Sequence, residues 1–305
     1  LNIMKIFDAH SHYMPPEVAQ HTAFFKVNWS DINRHLKTMD ECSIEQSLLL
    51  YPTSDAHLQM GGWTNVCEVY NRKIADVVKE HKDRFVGAGI LPIDQPVRFN
   101  EELVHIENLG LRVISMASSY SGIFLDDEIF FPVYEFAQKK KMPIHVHAQI
   151  LNPIGEDRVK DPLLSPVLEY VFDVSMCLGK MMMSGVFLKF PNVKFIFAHY
   201  GGVLPLVKER FDTTYTMLRA RGFVKDLTKL PSEYFKHLYF DMSGSKSIAS
   251  LQSALEVVDA SHILFGSDFP ANQNINGIVE AIQKAKLNVG DGDKILGNNL
   301  SALVK

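Results

Sequence analysis

Short apolar runs recur along the chain, separated by segments in which apolar residues are spaced as on one side of a helix. Several runs are apolar at almost every position, as in Phe195-Ile196-Phe197-Ala198, which is typical of strands buried on both faces of a parallel sheet. Eight such runs predict strands at Ile3–Ala9, Gln46–Tyr51, Phe85–Leu91, Arg112–Met116, Pro143–Ala148, Lys194–Ala198, Leu238–Met242 and Ile263–Gly266.

Helical periodicity fills much of the space between these strands. In Asn71–Lys82, the residues Ile74, Val77 and Val78 share one side. Similar spacing predicts helices in Phe130–Lys141, Val207–Arg221, Ser250–Val258 and Ile278–Lys286. Strand and helix alternate throughout, which indicates βαβ units, and eight strands in this length match a (β/α)8 TIM barrel. A doubly wound open sheet is the alternative, but no Gly-x-Gly-x-x-Gly follows the first strand.

No repeat or flexible linker divides the sequence, so we expect one barrel domain over residues 1–305. Two connections are long, Gln149–Val193 after the fifth strand and Gly201–His237 after the sixth. Loops that follow barrel strands build the active-site face, so these insertions are predicted to cover a substrate. An added helix without ligand contact is the alternative for the distal half of each.

Composition narrows the class of protein. The chain has 305 residues, 47% of them hydrophobic, and a net charge of −4, which excludes disorder, collagen and a basic nucleic-acid-binding surface. Cys42, Cys67 and Cys177 are too far apart for a disulfide framework or a paired-cysteine metal site, and we expect them reduced and buried. Neither a signal peptide nor a membrane-spanning run is evident, so a cytoplasmic protein without membrane or nucleic-acid partners is expected.

Histidine or aspartate closes four of the eight predicted strands. His10 and His12 are two residues apart, so at a strand end both side chains point the same way. The others are His145 and His147, then His199, then Asp268. His145 and His147 have the same parity, so periodicity does not choose between them; His147 is nearer the barrel mouth and is the better ligand. Such residues bind divalent metals, with zinc the favoured ion and manganese an alternative.

Several stretches together carry a family resemblance. They are Asp8-Ala9-His10-Ser11-His12, Lys82–Gly87 with Leu91-Pro92, Pro143–His147, Ser184–Phe187, Phe190-Pro191-Asn192, Ala198–Gly202 with Pro205, Phe265–Pro270 and Ile295–Asn299. In this order they resemble the amidohydrolase superfamily. The closer likeness is to its amidohydrolase-related branch, which includes aminocarboxymuconate semialdehyde decarboxylase and the resorcylate-type decarboxylases.

The resemblance implies a mononuclear metal enzyme. Its ligands would be His10, His12, His147 and Asp268, with His199 beside a metal-bound water as acid–base group and Asp268 as a second proton carrier. Two-metal members carry a carboxylated lysine on strand four, where Arg112–Ser118 has none, so one ion is favoured. The expected activity is that of a hydrolase or decarboxylase acting on a small carboxylated or cyclic, aromatic-derived substrate. A carboxy-lyase without hydrolytic activity and a non-catalytic metal-binding barrel are the alternatives.

Substrate contacts are predicted at three further residues. Arg210 follows a Gly-Gly-x-x-Pro stretch, where the decarboxylases carry an arginine that can reach a neighbouring subunit's substrate, which implies a homodimer. A solvated helix charge is the alternative for Arg210. Arg158 is a second cation, and His57 follows strand two on the active-site side. Trp63 and Tyr120 are candidate walls for an aromatic substrate, with loop packing as the alternative.

Other features are interpreted as ordinary or leave the reaction open. Six more histidines have no partner at ligand spacing and are expected to be structural or at the surface: His21, His35, His81, His105, His237 and His262. After His147 the chain reads Ala148-Gln149-Ile150-Leu151, whereas the decarboxylases often continue with proline and polar residues. The reaction type therefore stays open at this point.

Overall fold

Eight parallel strands form the central sheet of the computed structural model, which describes residues 5–305. They are β1 (Ile6–His12), β2 (Ile44–Leu50), β3 (Phe85–Gly89), β4 (Val113–Ala117), β5 (Ile144–His147), β6 (Phe195–Phe197), β7 (Tyr239–Asp241) and β8 (Ile263–Leu264). Each strand pairs with the next in chain order. All eight predicted strands are present; Ile3 and Met4, placed in the first of them, lie outside the described residues.

The sheet closes through the segment that follows β8. The amide of Ala9 donates to the carbonyl of Phe265 at 2.8 Å, and the amide of His12 donates to the carbonyl of Phe269 at 2.8 Å. Between them, the amide of Asp268 donates to the carbonyl of His10, also at 2.8 Å. These bonds join the first and last strands, so the predicted (β/α)8 barrel is confirmed.

One long helix follows each strand. They are α1 (Ile32–Glu41), α2 (Trp63–Glu80), α3 (Phe99–Asn108), α4 (Phe131–Lys140), α5 (Tyr170–Met183), α6 (Lys208–Ala220), α7 (Ile248–Leu255) and α8 (Ile275–Lys284). Shorter helices are Pro16–Ala19, Ala56–Gln59, Glu156–Val159, Val186–Lys189, Pro231–Tyr234, Asp291–Asp293 and Asn299–Leu303, and a small hairpin pairs Ser119–Tyr120 with Ile123–Phe124. The long connections after β5 and β6 contain α5 and α6.

The core lies inside the barrel and between the barrel and its helices. Phe195 and Phe197 point to one side of β6 and Ile196 points to the other, and all three side chains are fully buried. Burial of both faces accounts for the continuous apolar runs of the sequence. Helix α2 begins at Trp63, before the predicted start at Asn71. It buries Val66, Tyr70 and Ile74, whereas Val77 and Val78, predicted on the same side as Ile74, are half-buried.

The cysteines agree with the prediction of reduced thiols. Cys67 and Cys177 are free and buried, and Cys42 is free but only half-buried. Within residues 5–305, no helix has both the length and the apolar character that crossing a membrane requires.

Candidate metal centre

The four predicted ligands meet at the carboxyl ends of the barrel strands. His10 and His12 end β1, with their Nε2 atoms 3.1 Å apart. Oδ1 of Asp268 lies 3.5 Å from Nε2 of His10 and 3.4 Å from Nε2 of His12. His147 ends β5, and one of its ring nitrogens lies within 4.8 Å of those of His10 and His12. The structure brings the four together; that they bind a metal stays a prediction.

Backbone and carboxylate oxygens fix the orientation of all three imidazoles. Nδ1 of His10 lies 2.9 Å from Oδ2 of Asp241. Nδ1 of His12 lies 3.3 Å from the carbonyl of Leu50, and Nδ1 of His147 lies 2.8 Å from the carbonyl of Ala148. These oxygens only accept, so each Nδ1 carries its proton and the Nε2 lone pairs are left for another partner.

The converging imidazole nitrogens form a site that suits a cation. Burial lowers the pKa of His12, and it lowers that of His147 well below its usual range, so both rings are neutral. Burial opposes charge on His10 as well, but Asp241 and Asp268 raise its pKa to about 9. The two carboxylates therefore favour positive charge at His10, which a divalent ion would supply. Two nitrogens at about 2.1 Å from one ion lie roughly 3.0–3.4 Å apart, which fits the His10–His12 pair.

Asp268 completes the donor set with a carboxylate. Burial alone would raise its pKa, but the neighbouring His12, His10 and His199 hold it below the usual range, so the group is ionised. Its backbone is left-handed, with a φ of 58°. A non-glycine residue in this region is uncommon and often marks a functional site.

His199 faces the cluster from a turn after β6. Its ring centroid lies 5.8 Å from that of His10 and 6.2 Å from that of His147. The turn is left-handed over four consecutive residues, from His199 at φ 53° to Gly202 at φ 74°. A Cβ on Gly202 would lie 2.0 Å from Oγ of Ser175 and 2.6 Å from the carbonyl oxygen of Val171. Glycine at position 202 therefore allows the backbone turn that directs the His199 ring toward the cluster.

Asp241 at the end of β7 was missed in the sequence analysis. Its Oδ2 accepts hydrogen bonds from Nδ1 of His10 at 2.9 Å and from Nε2 of His145 at 2.7 Å. The contact distinguishes the two histidines of β5: His145 is bonded to Asp241, whereas His147 lies with the other candidate ligands. The only signal for Asp241 was that it is the single charged residue in the apolar run Leu238–Met242.

Asp8 ties the candidate site to the barrel wall. Its carboxylate accepts from the amide and the hydroxyl of Ser267 at 2.9 and 2.5 Å, from Oγ of Ser47 at 3.2 Å and from the amide of His10 at 3.0 Å. Burial raises the pKa of this group to about 6 despite these donors. Because Ser267 precedes Asp268, the bonds fix the segment that carries the predicted carboxylate ligand.

Within residues 5–305, none of the predicted substrate residues shares a hydrogen bond or ion pair with the histidine cluster. Arg210 on α6 and Arg158 on the short helix Glu156–Val159 are exposed. Over residues 5–305, neither forms a hydrogen bond or ion pair with the cluster. The His57 ring stacks on Trp63 with centroids 4.6 Å apart, and Trp63 meets the edge of Tyr120 at 5.6 Å. Substrate contact by these residues stays a prediction.

A second aromatic group, not predicted, adjoins the ligands directly. Trp29, in the loop after β1, has its ring centroid 5.7 Å from that of His12. Phe25 supports it, with centroids 4.6 Å apart. The loop has neither strand nor helix periodicity, so the sequence offered no means of placing this tryptophan.

The chain is similar to a known family along nearly all of its length. A family model described as amidohydrolase matches residues 7–299. The 2-amino-3-carboxymuconate-6-semialdehyde decarboxylase of Dictyostelium discoideum is 27% identical over 239 residues, which is 76% of this chain and 66% of the relative. The gamma-resorcylate decarboxylase of Polaromonas sp. is 25% identical over 288 residues, 90% of this chain and 87% of that protein.

Solved structures share the fold at lower identity. The 5-carboxyvanillate decarboxylase of Sphingomonas paucimobilis superposes with a TM-score of 0.88 at 20% identity, covering 99% of both chains. A dihydroxybenzoic acid decarboxylase from Polaromonas sp., solved with bound manganese and an inhibitor, has a TM-score of 0.85 at 22% identity, covering 99% of this chain and 97% of that one. The resemblance drawn from the sequence motifs is confirmed by these matches.

Proposed function

This chain belongs to the amidohydrolase family, and on that premise we propose that it is a metal-dependent decarboxylase of a small aromatic or unsaturated carboxylic acid. The proposal is carried by the convergence of His10, His12, His147 and Asp268 at the barrel mouth. The prediction of an enzyme is confirmed by relatives that are named decarboxylases. A non-catalytic barrel is not supported by them.

The same relatives favour one of the two reactions left open by the sequence. Those matched over most of the chain are named for decarboxylation, which favours the carboxy-lyase alternative. Hydrolysis, the main expectation from the sequence, finds no support beyond the name of the family. We therefore take removal of CO2 as the proposed reaction.

The donor set suits one divalent ion, held by three imidazole nitrogens and one carboxylate oxygen. When bound, such an ion acts as a Lewis acid that orients the substrate and offsets its negative charge. Zinc remains the expectation from the ligand types, and the manganese bound in a solved relative supports manganese equally. We propose a single ion of either kind.

His199 and Asp268 would carry the protons of the reaction. Decarboxylation adds one proton to the ring carbon that bears the carboxylate; the bond to that carboxylate then breaks, its electron pair returns to the ring, and CO2 leaves. Burial lowers the pKa of His199, which suits a group that takes a proton from solvent and donates it to the substrate carbon. Its position beside the cluster, rather than within it, supports this role.

The surroundings of the site support an aromatic substrate. Trp29 adjoins His12 on one side, and the His57–Trp63–Tyr120 group lines the loops after β2 and β4. Aromatic faces of this kind stack on a flat ring. We propose these two groups as the walls of the substrate site.

A homodimer would bring Arg210 into use. Its neighbour on α6, Phe211, lines an apolar groove with Phe172 and Met176 of α5, both of which are partly exposed. A second copy on this face would bury the groove and place Arg210 near a subunit boundary. Analytical ultracentrifugation tests the oligomeric state. A monomer at micromolar concentration would contradict the dimer but would leave the proposed metal site unaffected.

The test of the proposed function is a substrate panel. Purified chain loaded with Mn2+ or Zn2+ is offered hydroxylated benzoates and unsaturated acids, with CO2 and organic product both measured. Metal-dependent CO2 release that is absent in His12→Ala supports the proposal. Ester or lactone cleavage without CO2 from any acid would overturn it in favour of hydrolysis.

A further inference from the structure

Beside the candidate metal centre lies a second polar cluster, formed by Asp241, His145 and Ser243. Asp241 and His145 are fully buried. Among them, Nε2 of His145 lies 2.7 Å from Oδ2 of Asp241, and Oγ of Ser243 bonds to Oδ1 of the same carboxylate. No step of the proposed reaction uses this cluster.

Asp241 touches two parts of the candidate site at once. Its Oδ2 accepts from Nδ1 of His10 at 2.9 Å, and Oγ of Ser243 lies 2.8 Å from the same ring nitrogen. Its Oδ1 lies 3.4 Å from the amide of His199, which also donates to Oγ of Ser243 at 3.1 Å. One carboxylate thus fixes a predicted ligand and the start of the turn that presents the predicted acid–base group.

We propose that Asp241 is a positioning residue for the metal ligand His10, and that His145 holds Asp241 in the orientation this requires. A carboxylate on the distal nitrogen of a metal-binding imidazole fixes its tautomer and ring plane and makes the ligand nitrogen more basic. The inference rests on the proposed metal site and adds residues to it that touch neither metal nor substrate.

His145 has a role here because a lone carboxylate can rotate. Its Nε2–H and Nδ1–H of His10 share Oδ2 of Asp241, while Ser243 occupies Oδ1, so both oxygens are held from opposite sides. Nδ1 of His145 is buried and has no hydrogen-bond partner. A neutral ring that donates only through Nε2 leaves this nitrogen as an acceptor, so the bond to Asp241 is the one polar contact that positions His145 within residues 5–305.

Short hydrogen bonds account for this cluster better than a second ion does. His10, His145 and Asp241 have ligand-type atoms within 4.8 Å of one another. Their separations of 2.7 and 2.9 Å, however, are those of direct charge-assisted hydrogen bonds. In addition, Nδ1 of His10 must keep its proton if its Nε2 is to bind the metal above.

The test is a Co2+ titration of the full chain, followed by the visible absorption of the bound ion. In Asp241→Asn, the half-saturation point should shift about 10- to 100-fold to higher Co2+. At saturating Co2+ the spectrum should match that of wild type, because His10 still binds the ion once enough Co2+ is present. Asp173→Asn is the matched control: Asp173 is equally buried and bonded to Ser118 and Ser119, but it contacts no ligand side chain, so a shift below twofold is expected.

The role of His145 is tested by rescue. His145→Phe removes the donor and should weaken Co2+ binding by about threefold to tenfold, less than the loss of the carboxylate itself. His145→Gln retains an N–H at the position of Nε2 and should return the affinity to within twofold of wild type. Thermal unfolding of the metal-free variants shows that each is folded.

The outcomes separate this inference from the proposed function. If wild type binds no Co2+, Zn2+ or Mn2+, the proposed function fails. If wild type binds Co2+ and Asp241→Asn binds it within twofold as tightly, the positioning role alone is overturned. Equal weakening of Co2+ binding in His145→Gln and His145→Phe overturns the hydrogen-bond role of His145. If wild type binds two Co2+ per chain and Asp241→Asn binds one, the positioning role of Asp241 is overturned in favour of a second metal site.

Discussion

His199 is the residue at which metal binding and turnover should separate. Its ring faces the cluster from 5.8 Å between centroids but stays outside the ligand set. His199→Ala should therefore keep the metal while kcat falls about 10²- to 10⁴-fold, the usual contribution of a general acid or base. Asp268→Ala, by contrast, should lose both metal and turnover. Metal analysis and CO2 release on the same samples make the measurement, and a fully active His199→Ala would remove the assignment.

Gly202 is the residue whose backbone allows the His199 turn. It has a φ of 74°, and an added Cβ would meet Oγ of Ser175 at 2.0 Å and the Val171 carbonyl oxygen at 2.6 Å. Gly202→Ala should lower the free energy of unfolding by about 2 kcal/mol or more, through left-handed strain and overpacking.

Gly292→Ala is the matched control for that substitution. Gly292 lies in a short helix with nothing near its added Cβ, so stability should be unchanged or slightly higher. Urea unfolding of both variants checks the pair. Equal stability of Gly202→Ala and wild type would show that the turn relaxes to admit a side chain.

At the scale of elements, α1 carries a buried histidine with an unusual environment. His35 packs against Phe85 and Phe269, with centroids 5.1 and 4.6 Å away, and its Nδ1 is buried without a partner. Burial lowers its pKa to about 3. The folded chain therefore resists a proton that the unfolded chain accepts near pH 6.5.

This difference predicts the acid sensitivity of α1 packing. Below about pH 6.5 the unfolded state binds more protons, so stability falls as pH falls, by up to about 1.4 kcal/mol per pH unit. Between pH 7 and pH 5, His35→Phe should lose about 2 kcal/mol less unfolding free energy than wild type. Urea unfolding of the two chelator-treated chains makes the comparison; parallel losses would show that His35 is protonated in the fold.

Strand periodicity explains how much of the site was predictable. His10 and His12 were placed together because residues two apart share a side at a strand end. Asp241 was not, because its partners His10 and His145 lie on other strands and no local pattern joins them. His145 and His147 have the same parity, so periodicity alone could not show which of them lies with His10 and His12 at the barrel mouth. Trp29 ends a single 3-10 turn, Val27–Trp29, which is too short for residue spacing to predict its contacts.

Helices show the complementary limit. The pattern in Val207–Arg221 predicted α6 to within a residue at each end, Lys208–Ala220. The pattern placed Arg210 on a helix but did not predict what its side chain contacts. Arg210 is exposed in the single chain, so it gains a contact only if another chain covers it. Local periodicity thus predicts elements well, while contacts between distant or separate segments require the fold or the assembly.

For the whole molecule, the candidate ion would join the first strand to the segment that closes the barrel. His10 and His12 end β1, His147 ends β5, and Asp268 follows β8. The closure also has bonds that need no metal: the amide of Ala9 donates to the carbonyl of Phe265, and the amide of Ser267 donates to the carboxylate of Asp8. We therefore expect the metal-free chain to stay folded but to unfold more easily.

The size of that effect follows from binding linkage. An ion that binds only the folded chain, at 100 times its dissociation constant, adds about 2.7 kcal/mol, which for a chain of this length raises Tm by about 4 °C. Chelation should remove this increment in wild type and leave His12→Ala unchanged. Scanning calorimetry with and without chelator measures both. An unchanged wild-type Tm after demonstrated loss of the ion would mean that the ion binds the unfolded chain as tightly as the folded chain and does not stabilise the closure. Complete unfolding would mean that the backbone and Asp8 bonds cannot close the barrel alone.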